Sequence, residues 1–247
     1  MFQTSGLVIH SAGLTDPGRI RAINQDAFWI DPQGELFLLA DGMGGHAAGE
    51  VASQLAVELF RQAWRSARST RLAPAELLEQ AILETQAGLR ERGRRDPQLH
   101  RMGTTFLAAY RPTSSVLWLI HVGDSRAYRL RRNRLRQLTE DHTVYNQVRK
   151  SRHVAGEIIN PSLMHQLSQS LGSSEFIAPQ IVSLKLEPTD RYLLCTDGLP
   201  DMLTEVDIAD LLGASCQPEQ ICHSLIDAAN QRGGKDNITV IVLDYRG

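Results

Sequence analysis

Cysteine is scarce in this chain, occurring only as Cys195, Cys216 and Cys222. An odd count without metal-ligand spacing excludes a disulfide framework and a thiolate zinc site, so each sulfur is expected to pack as a small apolar residue. Lysine is nearly absent, with Lys150, Lys185 and Lys235 alone, and arginine carries the positive charge. The formal net charge is only -2, so no whole-molecule field points to nucleic acid. No apolar run is long enough to span a bilayer, and Met1 to His10 has neither a basic start nor a long apolar core. A cytoplasmic protein, with no membrane and no nucleic acid among its partners, is the expectation. No Pro-, Gly- or Ser-rich linker divides the sequence, so residues 1–247 are expected to form a single domain, monomeric by default.

What is present is concentrated in Leu36-Phe37-Leu38-Leu39-Ala40-Asp41-Gly42-Met43-Gly44-Gly45-His46. Leu36 to Ala40 reads as a strand buried on both faces, followed by a glycine-rich turn and an amphipathic helix. A charge at the mouth of a buried strand needs a partner, and a metal ion is a natural one. Gly42, Gly44 and Ala47 also fit the dinucleotide fingerprint, but a carboxylate directly before those glycines would repel a pyrophosphate. A third reading is a plain connection whose aspartate caps the next helix.

The surrounding elements favour the metal. Ala27 to Ile30, the turn Asp31-Pro32-Gln33-Gly34 and Leu36 to Ala40 form a hairpin in which facing residues sum to 67, so Asp26 lies opposite Asp41. Two such carboxylates destabilise each other unless a cation sits between them. Helices are expected over Gly49 to Ala67 and after Pro74. Strands follow at Thr104 to Arg111, Ser115 to Val122, Arg126 to Arg131 and Leu135 to Leu138, read together as a meander. Arg126, Arg129, Arg131, Arg132, Arg134 and Arg136 crowd its last hairpin, where a solvated sheet edge accounts for most of them and docking of acidic or phosphorylated partners is a second use. Glu140 to Pro179 is irregular and mostly helical. Arg191 to Thr196 is a strand, helices lie near Glu205 to Leu212 and Pro218 to Asn230, and Ile238 to Leu243 closes the chain.

Asp26 begins a strand, Asp41, Asp124 and Asp197 end three, and Asp236 begins the last, so antiparallel neighbours would carry all five to one rim. Converging carboxylates flanked by glycine, with no His/Cys ligand set, describe an oxygen site for magnesium or manganese. Two such ions suit phosphate-ester hydrolysis. Arg21 would reach the rim as a phosphate clamp, or be an ordinary solvated arginine. His46 could protonate a leaving alkoxide, or be a surface or capping histidine. A cysteine nucleophile is excluded, because six residues beyond the three cysteines stand Asp201, Cys222 and Ala228 rather than arginine. No Asp-x-Asp pair follows an apolar strand to support an aspartyl-phosphate.

Arg21-Ala22-Ile23-Asn24-Gln25-Asp26, Asp41-Gly42-Met43-Gly44-Gly45-His46, Met102-Gly103-Thr104-Thr105, Val122-Gly123-Asp124-Ser125-Arg126, Thr196-Asp197-Gly198-Leu199 and Lys235-Asp236-Asn237-Ile238-Thr239 together resemble the successive motifs of the metal-dependent (PPM, type 2C) protein serine/threonine phosphatases in their compact bacterial form. The resemblance runs from about Gly13 to Leu243. It implies an α+β fold, a four-layer α-β-β-α sandwich of two mainly antiparallel sheets flanked by helices. It implies hydrolysis of phosphoserine and phosphothreonine in proteins at a binuclear Mn2+ or Mg2+ centre, opposite a bacterial Ser/Thr kinase. By the same resemblance Asp41 bridges the two ions, the Gly42 carbonyl, Asp197 and Asp236 complete the shell, and Asp26 holds a bound water. Asp124 with Asp197 would serve a third, weaker ion, Arg21 would bind the phosphate, His46 would be the general acid, and about 141–180 would be the variable flap. Gln25 stands where many members carry Glu, Pro200 replaces a frequent hydroxylated residue, and Met164 to Gly172 follows the flap pattern only loosely. The alternative from another class is a catalytically silent domain of this fold that binds phosphoproteins without turnover.

Overall fold

The computed structural model describes residues 8–44, 47–151 and 160–246. Its strands are β1 (Val8–Asp16), β2 (Asp26–Ile30), β3 (Leu36–Met43), β4 (Gly103–Thr104), β5 (Phe106–Thr113), β6 (Val116–Val122), β7 (Arg126–Arg131), β8 (Arg134–Gln137), β9 (Gln180–Lys185), β10 (Arg191–Cys195) and β11 (Ile238–Arg246). Its helices are α1 (Ala47–Arg68), α2 (Pro74–Arg95), α3 (Val144–Ser151), α4 (Glu205–Leu212) and α5 (Pro218–Gln231), with short 3-10 turns at Pro97–Leu99 and Pro161–His165. One sheet runs β1-β11-β10-β7-β8 and the other β2-β3-β5-β6-β9, with β4 beside β3, and these strands pair antiparallel throughout.

Three apolar cores separate four layers. Leu36, Leu38 and Ala40 of β3 pack under α1 and α2, while Phe37 and Leu39 of the same strand face the other sheet. In β11, Val240 and Val242 lie under α4 and α5, and Ile241, Leu243 and Tyr245 face inward between the sheets. Both sheets are therefore buried on both sides, which is why their strands read as unbroken apolar runs instead of alternating ones. This is the α-β-β-α sandwich.

Local chemistry fixes the helix starts. Pro74 occupies the first turn of α2, where its missing N–H costs nothing, and Glu76 Oε2 accepts the Ala73 N–H at 3.0 Å. Thr204 and Asp207 exchange reciprocal capping bonds at the start of α4.

Three expectations change. The strands from Thr104 to Leu138 are not one meander: β6 pairs with β5 and β9, whereas β7 pairs with β10 and β8. The chain crosses from one sheet to the other at Gly123-Asp124-Ser125, a three-residue passage that sequence spacing cannot distinguish from a hairpin turn. Strands β1 and β9 were not anticipated. In β1 the apolar pattern is interrupted by Gly13, whose missing side chain makes room for Phe28 of the other sheet: a Cβ there would come within 2.5 Å of the Phe28 ring. Finally, Cys195 and Cys222 are buried as expected, but Cys216, in the connection between α4 and α5, is exposed.

Candidate metal centre

The site arises where strand alternation runs one step past the core. Ile30 and Phe28 along β2, and Phe37 and Leu39 along β3, face the inter-sheet space, and the next residues on that face are Asp26 and Asp41. These two are direct cross-strand partners, as the hairpin arithmetic requires. On β11 the same alternation leads from Leu243 and Ile241 to Thr239, whose Oγ1 donates to Asp26 Oδ2 at 2.6 Å, and Thr196 Oγ1 donates to that oxygen at 2.9 Å. The mouth of the sandwich is thus polar from both sheets. The acids consequently do not share the rim of a single sheet.

Asp124 sits in the passage between the sheets. Gly123 has φ 109°, and a Cβ there would lie 2.7 Å from that of Thr105. Thr105 Oγ1 accepts the Asp41 N–H at 3.0 Å and is hydrogen bonded to Ser125 Oγ at 2.7 Å. One threonine therefore ties Asp41 to the turn that carries Asp124. Asp197 follows β10 and Asp236 precedes β11, and close backbone approach is needed there too: a Cβ on Gly198 would be 2.0 Å from the Asn237 carbonyl oxygen.

Arg21 lies in the loop between β1 and β2, and its Nη2 donates to Asp236 Oδ2 at 2.7 Å. Asn237 holds that loop in place. Its Nδ2 donates to the Pro17 and Ile23 carbonyls, both at 3.0 Å, and its Oδ1 accepts the Gln25 N–H at 2.8 Å. Arg21, Asp41, Gly42, Asp124, Asp197 and Asp236 line one cleft of about 720 Å³. His46 lies outside the described residues. Among the described residues, the imidazole lining the cleft is His165, from the 3-10 turn, with Nδ1 3.8 Å from Asp201 Oδ2.

Thr105, Thr196, Thr239 and Asn237 are not distinguishable from sequence as supports of the site, although each stands inside one of its motifs. Their partners lie as much as 224 positions away in sequence, and no local pattern announces such a bond.

The electrostatics of this cluster are unfavourable as it stands. Burial, before any neighbour, raises Asp26 to about 7, Asp124 to about 8 and Asp197 to about 6. Asp41 is pushed well above the usual carboxylate range by burial first and by the Asp26 charge next. Among the described residues, Asp26 Oδ1 and Asp197 Oδ1 are buried with no hydrogen-bond partner. Buried, mutually repelling carboxylates are relieved either by taking up protons or by binding cations, and a donor set of carboxylates and a glycine carbonyl suits hard divalent ions. The residues present therefore fit a magnesium or manganese centre.

A family model described as Protein phosphatase 2C matches residues 19–228. The chain is 35% identical over 244 residues to the serine/threonine phosphatase Stp of Listeria welshimeri, covering 96% of each sequence. Among solved structures it is similar to the Mycobacterium tuberculosis serine/threonine phosphatase PstP/Ppp, with TM-score 0.84 and 33% identity over 98% of this chain and 100% of that one. It is also similar to the catalytic domain of PstP in complex with two manganese ions, with TM-score 0.83 and 32% identity over 98% and 100% of the two chains.

Proposed function

The chain belongs to the protein phosphatase 2C family, and from that premise we propose that it hydrolyses phosphoserine and phosphothreonine in proteins at a two-cation Mn2+ or Mg2+ centre. The observation that carries this reading is the gathering of Asp41, Asp124, Asp197 and Asp236 in one cleft, with buried carboxylate oxygens of Asp26 and Asp197 left unpartnered. In this reading Asp41, the Gly42 carbonyl, Asp197 and Asp236 hold the two cations, and Asp124 with Asp197 serves a third. When bound, the cations would supply Lewis acidity, lowering the pKa of a water so that it can give up a proton and act as the nucleophile, and neutralising charge on the phosphoryl oxygens.

The chain's own groups do the remaining work. Arg21 is half exposed and bonds Asp236 through Nη2, so the rest of its guanidinium is available to clamp two oxygens of a substrate phosphate. Asp26 is fixed by two threonine hydroxyls on Oδ2, and its unpartnered Oδ1 can accept a proton from the attacking water and so orient it. His46 would donate the proton that the departing serine or threonine alkoxide takes up. The phosphoryl group leaves with an oxygen from water, so the P–O bond to the side chain breaks without a phosphoenzyme.

The substrates are phosphorylated proteins, and the counterpart in this reading is a Ser/Thr kinase in a bacterial cytoplasm, with the phosphatase acting as a monomer. Among the described residues no helix is long and apolar enough to cross a membrane. The test is phosphate release from a phosphothreonine peptide with manganese, before and after complete chelation. Turnover should vanish on chelation and return with the metal. Manganese binding without any turnover would instead favour the silent phosphoprotein-binding domain.

A further inference from the structure

Arg132, Arg134 and Arg136 are exposed at the edge of their sheet, as a solvated edge requires, but the arginines of β7 and β8 are also ordered across the strand pair. In the pairing of the two strands Arg129 stands directly opposite Arg136, and Arg131 opposite Arg134. All four fall on the face that also carries Ala127 and Leu138, residues of the inter-sheet core. Like charges set directly across an antiparallel pair destabilise it, and here the arrangement occurs twice in succession. Arg131 is neutralised by Asp190 and Glu187. Among the described residues Arg129, Arg134 and Arg136 have no carboxylate within ion-pair distance, and Arg129 Nε is buried with no hydrogen-bond partner. The molecule as a whole is slightly acidic, so this charge is a local concentration.

Two further features give the patch a direction. Among the described residues strand β8 is the last of its sheet, with neighbour β7 on one side and no strand on the other. Its final residue, Gln137, lines a chamber of about 520 Å³ that Arg126, Arg149, Asp124 and Asp197 also line. A polypeptide laid along β8 would therefore run from the arginine ladder to the catalytic cleft. We propose that the unpaired arginines of β7 and β8 form a docking strip for an acidic, extended flank of the phosphoprotein substrate, which pairs with the open edge of β8 while its phosphoresidue occupies the cleft. The inference rests on the phosphatase reading and assigns to it a substrate class: phosphosites followed or preceded by acidic sequence.

The experiment compares manganese-loaded wild type with Arg134→Glu/Arg136→Glu, two exposed positions outside the cleft. Substrates are p-nitrophenyl phosphate, a phosphothreonine peptide with neutral flanks, and peptides carrying a short glutamate block at increasing distance on either side. Wild type should prefer one acid-flanked peptide through a lower KM. The double variant should raise that KM on the order of tenfold, with kcat and p-nitrophenyl phosphate turnover unchanged, and added salt should erase the preference in wild type. Equal KM for neutral and acidic peptides in wild type overturns the strip while leaving the phosphatase reading intact. So does a variant that keeps the acidic preference, or tighter salt-sensitive binding of a single-stranded oligonucleotide than of any acidic peptide. Absence of turnover on all substrates would instead strike the phosphatase reading itself.

Discussion

At the scale of single residues, the acids of the cleft act against the fold that holds them. Asp26, Asp124 and Asp197 are raised to about 7, 8 and 6, and Asp41 is raised as well. A carboxylate whose folded-state pKa lies above its unfolded one binds more protons when folded. The four acids therefore remove stability from the metal-free protein as pH rises from about 4 through about 8. His121 and His142, held below their ordinary values by burial, add it up to about pH 6.5, so the net fall is expected between about 6.5 and 8. The measurement is urea unfolding of chelated protein across that range, and a flat or rising profile would contradict the cluster's electrostatics. Saturating manganese should flatten the slope. Asp41→Asn follows the same logic: it should abolish turnover yet raise the melting temperature of the metal-free protein at pH 8, because one of the repelling charges is gone. Arg21→Ala should lower kcat/KM on a phosphopeptide by about 10- to 100-fold, the loss of a charge-assisted pair of bonds, and a variant with wild-type kinetics would remove Arg21 from the site.

At the scale of elements, the β2–β3 hairpin was readable because its turn chemistry fixes the register, and the register fixes Asp26 against Asp41. The glycines that follow do work of a different kind. A Cβ on Gly42 would lie 2.0 Å from the Gly49 carbonyl oxygen and 2.7 Å from that of Gln25. Gly42→Ala should therefore cost about 3 kcal/mol or more in chemical denaturation, beyond the range of ordinary surface changes. A loss under 1 kcal/mol would mean the β3–α1 junction can open without penalty. Strands β1 and β9 were not legible, since β1 breaks its apolar pattern at Gly13 to admit Phe28 and β9 is only partly buried at a sheet edge. The six arginines of β7, β8 and the turn between them are legible in sequence as a cluster. Their direct opposition, Arg129 to Arg136 and Arg131 to Arg134, needed the pairing.

At the scale of the whole molecule, the cleft exists only because two sheets meet. Asp26 and Asp41 come from one, Asp197 and Asp236 from the strand ends of the other, and Asp124 from the passage between them. Metal should consequently bind the assembled sandwich and not the unfolded chain, so that manganese raises the melting temperature and the rise grows with its concentration. A transition temperature indifferent to manganese would separate the acids from any cation. The sequence by itself determined the residue types, the motif order and the hairpin register, because these depend on turn chemistry and period along a continuous stretch of chain. Tertiary structure alone decided that β6 and β7 lie in different sheets, that Thr239 and Thr196 secure Asp26, and that Asn237 anchors the loop bearing Arg21. Those relations join residues far apart in the chain, and their energy comes from burying two sheets against each other, which no local segment can do alone.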